Sequence, residues 1–400
     1  MNARAASTYP ALTLRCTVVL PGAFVEGALA VLLPWLIVQA TLDTPWLGVA
    51  SALVVLAALL GALGAPTLAR SLGPRRMVIT TGFAVVLSLG AACVFWMMGV
   101  PAIAYGFALV ALAADSACDV GFSARLPLLA RLSRQPLVKF SAANWLWGIS
   151  GAALGSVLAG WAISTQAFGA LVFGLVLLSF AVAISLSLLS PRDARLDKRS
   201  PAIFGGVFSA GFWTTRAVIV TLALVGFVFF VGPLDNLLVP AHLAARELPA
   251  STFGNLVAAA GLGLAIGLVA TQSTRFQATH RGLTILLALI GIAAQLGLLL
   301  WLPSNWLLIA GVLVSSALFA PLLPMLEAAL LTATSASHRM LLLAMVSTFV
   351  SMADMMGTLT FGVIVGLSNS TVALSICCAV ACGAVLVFGV GHLQRMLTRR

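Results

Sequence analysis

The stretch LRCTVVLPGAFVEGALAVLLPWLIVQA, Leu14 to Ala40, decides what solvent this chain folds in. About 20 consecutive apolar residues in a helix cross the roughly 30 Å hydrocarbon core of a bilayer, so this stretch is long enough to span one. A short basic segment precedes it, as in a signal peptide, but its length and the carboxyl of Glu26 midway point to a retained helix. Blocks of the same kind recur along the chain to its last few residues. Of all residues 62% are apolar and 8% charged, against roughly a quarter charged in a soluble domain. Water is therefore not the main solvent, and so many blocks leave no room for a soluble domain.

Breaks at Pro, Gly, Arg and short polar runs divide the chain into twelve expected spans. They are Leu14 to Ala40, Trp46 to Ala69, Met77 to Met98, Ala102 to Phe122, Ser141 to Ile163 and Ala167 to Ser190, then Ala217 to Pro240, Thr252 to Thr271, Gly282 to Leu302, Asn305 to Leu331, Met340 to Gly366 and Thr371 to Gly391. The net charge of +11 is informative through its placement, because Lys and Arg near helix ends stay preferentially in the cytoplasm. On this map every Lys and Arg except Arg246 falls on one side. A miscount of one span would destroy that alternation, so both termini are expected in the cytoplasm. The charge then marks membrane topology and calls for no nucleic-acid partner.

Pro191 to Arg216 is the longest gap between spans and carries both signs of charge. Its apolar second half, Ile203 to Trp213, reads either as a short interfacial helix or as a partly ordered tether. The chain thus divides into a first six-helix bundle (1–190), a cytoplasmic linker (191–216) and a second six-helix bundle (217–400). A weak repeat agrees: Gly48, Gly61 and Arg75 recur, each the same distance further on, as Gly254, Gly267 and Arg281. Two parallel halves with a site between them at mid-membrane is a common transporter plan.

The six cysteines (Cys16, Cys93, Cys118, Cys377, Cys378, Cys382) fall in apolar blocks with no metal-type spacing, and are expected to be small packing residues. The four histidines (His242, His280, His338, His392) lie at helix ends or in loops, well separated in sequence. No His-Glu-x-x-His, Gly-x-Ser-x-Gly or nucleotide loop is present, so no metal centre, no organic cofactor and no enzyme activity are expected. The energy source expected is a proton gradient.

Three segments carry a family resemblance. Ala69-Arg70-Ser71-Leu72-Gly73-Pro74-Arg75-Arg76 resembles the Gly-x-Leu-Ala-Asp-Arg-x-Gly-Arg-Arg signature of the major facilitator superfamily. Gly73, Arg75 and Arg76 match, whereas Arg70 stands at the acidic position, Ser71 at the following basic one and Pro66 at the first glycine. Gly151 to Gly160 is similar to the Gly-x-x-x-Gly-Pro-x-x-Gly-Gly pattern of the superfamily's drug antiporters, with Ser156 and Ala159 in place of Pro and Gly. Independently of family, Gly151, Gly155 and Ala159 share a helix face and permit close approach of another helix. Arg125-Leu126-Pro127 and Ala143-Asn144 look like the corresponding segment of the branch holding macrolide exporters and the enterobactin exporter. The resemblance implies an all-α membrane protein of twelve spans in two bundles, usually monomeric. It also implies transport of a small molecule by alternating access and, from its motifs, export of a drug-like compound or siderophore across the bacterial inner membrane.

An ionisable group at membrane depth costs at least about 2.5 to 3.5 kcal/mol at a helix centre, so each is a functional candidate. Glu26 lies near the middle of the first span beside Pro21, Gly22 and Gly27, and Asp354 is also mid-span. Either suits a proton carrier exchanging protons for outgoing substrate, as does Asp115. The competing readings are a hydrogen-bonded packing role or binding of a cationic substrate group. Asp115 and Asp119 are four apart and share a face of the fourth span. Asp119 paired with Arg70, or with Arg125, is a candidate gating latch together with Gly73, Arg75, Arg76 and Glu327. Asp235 and Asn236 follow Pro233 in the seventh span. By analogy with the superfamily, spans 1, 4, 7 and 10 surround the cavity, so Glu26, Asp115, Asp235 and Asn236 are substrate-cavity candidates, with Trp145 and Gln295 of other spans as candidates for added contacts. Such an acid-rich, arginine-poor cavity favours cationic or neutral cargo. The alternatives weighed are an importer or lysolipid transporter of the same fold, and a receptor or assembly factor without transport. Membrane lipids and the small-molecule substrate are the partners expected.

Overall fold

The computed structural model describes residues 12–41, 46–133, 137–189, 226–227, 230, 237–270, 281–301, 304–322 and 339–397. All regular structure among them is helical, as lipid demands of a chain that must satisfy every backbone N–H and C=O internally. Helix α1 is helical from residue 12, passes through a π-turn at Arg15–Val19 and continues as Leu20–Thr41. Then follow α2 (Trp46–Leu72), α3 (Pro74–Met97), α4 (Pro101–Leu132), α5 (Leu137–Ser164) and α6 (Phe168–Leu189). In the second half come α7 (Val239–Ala245, the end of the seventh span), α8 (Ala250–Ala270), α9 (Arg281–Trp301), α10 (Asn305–Phe319), α11 (Arg339–Leu367) and α12 (Ser370–Leu397). Among the described residues ten helices are long and apolar enough to cross a membrane; α10 is shorter. The chain is a multi-pass membrane protein. The linker Pro191 to Arg216, and with it the reading of Ile203 to Trp213, lies outside the described residues.

Hydropathy places the spans well and misjudges where helices stop. The expected fourth span ends at Phe122, where its apolar window does end, yet α4 runs on to Leu132. Helical hydrogen bonding does not cease where hydrocarbon does. The extension has something to pack on: Leu129 and Ala130 join Leu14, Val18, Val78 and Phe140 in an apolar cluster at this end of the first bundle. We call the end where α1 begins and α2 ends the basic end, after the arginines of its loops, and the other the outer end.

The two halves repeat one packing scheme. In the first, α1 lies on α5, α2 and α3 on α4, and α3 on α6; in the second, α8 and α9 lie on α10, and α9 on α12. The counterpart of α1 on α5 is α11 on the seventh span, where Gly357 faces the Phe230 carbonyl. Between halves, α5 packs on α8 and α2 on α11. The glycine repeat sits on this scheme. Gly48 meets Gly362 of α11 and Gly254 meets Gly160 of α5, both across the seam between bundles. Gly61 meets Ala113 of α4 and Gly267 meets Ala317 of α10, both within a bundle. A Cβ on Gly48 would come 2.9 Å from Gly362 Cα, so at this seam backbone touches backbone.

These seam contacts lie toward the outer end. Ser251 N donates to Ser164 Oγ at 3.0 Å, and Trp35 of α1 stacks on Phe253 of α8 with centroids 6.3 Å apart. Midway, Gly261 of α8 would place a Cβ 3.6 Å from Ile149 and Ala153 of α5. One turn nearer the basic end on α5, Trp145 is 54% exposed.

Candidate functional site

Helix α5 holds the first bundle to its neighbours by two stripes of small residues. Gly151 faces Leu20 and Ala23 of α1, Gly155 faces Phe24 and Ala28, and Gly27 of α1 returns the contact on Ala152. Ala159 is fully buried, while Gly160 looks the other way, toward Ala250 and Gly254 of α8. Ser156, at the family's proline position, donates to Gly27 O at 3.0 Å and to Ala152 O at 2.8 Å. This clamp fixes the rotation of α1 and so the direction in which Glu26 points.

Glu26 is accessible although Val25, Gly27, Ala28 and Leu29 around it are buried. Asp119 is accessible and Asp115 half-buried on α4. Protein atoms are nevertheless dense around all three carboxyls. The carboxyls also sense one another's charge: Glu26 that of Asp119, and Asp115 that of both. Neighbouring carboxylates repel one another and attract any cation that reaches them. Cys118, between the two aspartates in sequence, points its thiol at Val78 O at 3.6 Å, and Thr81 bonds to Met77 O and Val78 O. Among the described residues no set of His, Cys, Asp and Glu side chains is gathered for a metal ion.

The other candidates are scattered. Asp354 stands half-buried on α11, one turn from Gly357 and Thr358. Gln295 accepts from Ser315 Oγ at 3.4 Å, linking α9 to α10. Gly73 makes the α2–α3 turn with φ +82°, a conformation glycine adopts readily, and Pro74 starts α3. Arg75 donates to Ser187 O of α6 at 3.2 Å, a contact inside the first bundle, and Arg76 is exposed. Arg125 is buried on α4. The side chains of Arg70, Asp235, Asn236 and Glu327 lie outside the described residues, and with Arg70 the swapped latch to Asp119.

Two buried polar groups were missed by sequence reasoning. Arg15, which the sequence presents only as a topology marker, donates from Nε to Asn144 Oδ1 at 2.8 Å and from Nη2 to Phe140 O at 3.5 Å. Its guanidinium also lies 5.0 Å from the Phe140 ring centroid. His242, fully buried at the outer end of α7, pairs Nδ1 with Ser370 Oγ of α12 at 3.1 Å. An arginine just inside an apolar block was the available signal for the first; the second left none.

No protein-family model matches the sequence, and no curated protein sequence matches it. Solved structures do resemble the fold. A point mutant of the nucleoside transporter NupG shares 14% identity over 95% of this chain and 99% of its own, with a TM-score of 0.71. The D-xylose-proton symporter shares 13% over 94% and 96%, TM-score 0.71. The human organic anion transporter MFSD10 (TETRAN) shares 15% over 97% and 100%, TM-score 0.64. At such identities the likeness speaks for architecture alone, and with the paired helix contacts it establishes that this chain has the major facilitator fold.

Proposed function

We propose that the chain is a secondary transporter of the bacterial cytoplasmic membrane, exporting a small amphipathic molecule, cationic or neutral, in exchange for protons by alternating access. The observation that carries this reading is that Glu26, Asp115 and Asp119 of the first bundle stand near enough to feel one another's charge; in this reading they line one cavity. Mutually repelling carboxylates offer a place that a proton or a cationic group can occupy, and neither readily while the other is there. Exchange needs that competition. In this reading Glu26 and Asp115 hold the coupled proton, Asp354 is a further proton-carrier candidate from the second bundle, and the organic cargo is a drug-like compound or siderophore. Outward direction rests on the antiporter-like stretch Gly151 to Gly160. A second reading, proton-driven import, is favoured by the likeness to the D-xylose-proton symporter and the nucleoside transporter.

The test is uptake into inverted vesicles of candidate siderophores and cationic dyes, with and without an imposed pH gradient. Gradient-dependent accumulation that Glu26→Gln abolishes is the expected result. Accumulation only in right-side-out vesicles would give the import reading, and gradient-independent uptake unchanged in Glu26→Gln and Asp354→Asn variants would sink proton coupling.

A further inference from the structure

Helix α1 changes pitch once, over Arg15–Val19, where a π-turn precedes the α-helix that starts at Leu20. A π-turn takes up about one residue more than an α-turn and so sets back the phase of what precedes it by roughly 100°. The α5-facing line of α1 runs through Leu20, Phe24 and Gly27, opposite Gly151, Gly155 and Ala152. In an uninterrupted helix Arg15, five residues before Leu20, would stand about 140° from that line. It would also lie within about 20° of Glu26, eleven residues on, and so point to the cavity side. With the π-turn it comes to within about 40° of Leu20. That is where its bond to Asn144 and its stacking on Phe140 are made. Arg15 is 9% exposed and Asn144 7%, so the guanidinium is stored inside the bundle, against α5.

We infer that the π-turn is a charge-sorting element: by turning Arg15 onto Asn144 and Phe140 it keeps a fixed cation off the cavity face of α1 and makes Arg15 a positioning residue for cation selectivity at Glu26. The inference rests on the acid cavity proposed above. It explains how α1 carries an arginine and a glutamate in one span while only the glutamate shapes the site's field.

The test reads that field at a cysteine. In the full chain with the six native cysteines replaced by alanine, Glu26→Cys is labelled with a cationic (trimethylammonium) and an anionic (sulfonate) methanethiosulfonate, the rate ratio being taken relative to a free thiol. Asp115 and Asp119 are left in place, and the cationic reagent is expected to be favoured by about tenfold. Asn144→Leu, which removes the α5 acceptor that holds the guanidinium, is expected to cut that preference several-fold, and Arg15→Gln in the same variant to restore it. A preference unchanged by Asn144→Leu, or a loss that Arg15→Gln does not reverse, overturns the inference. No preference in the chain with Asn144 in place would instead overturn the acid cavity itself, and the inference with it. If the Asn144→Leu chain does not fold, Asn144→Ala with and without Arg15→Gln makes the same comparison. A preference that falls in Asn144→Ala and returns with Arg15→Gln supports the inference, and any other pattern overturns it.

Discussion

The two bundles share a way of packing and differ in where they put charge. In each, glycines let helices meet backbone to backbone at matching places: Gly48 and Gly254 on the seam, Gly61 and Gly267 inside, Gly151 and Gly357 on the first and seventh spans. Polar side chains follow no such correspondence. The first bundle holds the neighbouring Glu26, Asp115 and Asp119, with Arg15 and Arg125 buried toward the basic end. Among its described residues the second holds Asp354 in α11 and His242 at the opposite, outer end. In the transport reading proposed above, symmetric packing would let the two halves rock against one another, and the asymmetric field would give one half the task of holding a charged ligand.

The symmetry breaks first under bulk. Gly151→Leu and Gly357→Leu both drive a side chain into backbone, and each is expected to cost about 3 kcal/mol or more, because overpacking that the backbone cannot relax is severe. Thermal melts in detergent check this; one tolerated and one lethal substitution would end the equivalence of the halves. Asn144→Leu removes one acceptor of the Arg15 guanidinium and is expected to cost about 1.5 to 3 kcal/mol by the same measurement. The asymmetry is sharpened by comparing Glu26→Gln with Asp354→Asn in gradient-driven transport. The first should reduce the rate at least about tenfold, some 1.4 kcal/mol, and the second less; equal losses would place the coupling site between the bundles. Smallest are the single neutral hydrogen bonds. His242→Phe and Ser156→Ala are each expected to cost about 1 kcal/mol, read as a lower melting temperature with transport retained.

The fold was largely legible because a bilayer leaves a sequence few options. Long apolar blocks, arginines on alternate loops and paired glycines followed from solvent and topology, and the structure gave those glycines partners that no spacing rule could name, Gly362 and Gly160. The site was legible only locally. A separation of four put Asp115 and Asp119 on one face, but bringing Glu26 to them takes the tertiary clamp of α1 on α5. Gln295, a cavity candidate from the sequence, accepts from Ser315 between α9 and α10, a partner that its position in the sequence does not announce. Arg15 was hidden by the rule that served topology so well: near a helix end a basic residue reads as an anchor, and a π-turn leaves no composition to notice.

The seam itself has a property beyond closeness. On α2 and α11, one turn from the Gly48–Gly362 contact, the buried hydroxyls of Ser51 and Thr358 have no hydrogen-bond partner among the described residues. Closely set backbones with thirsty groups beside them are a seam that water can relieve: the first molecule to enter as they part finds waiting partners. Wetting would then work with the opening motion rather than against it.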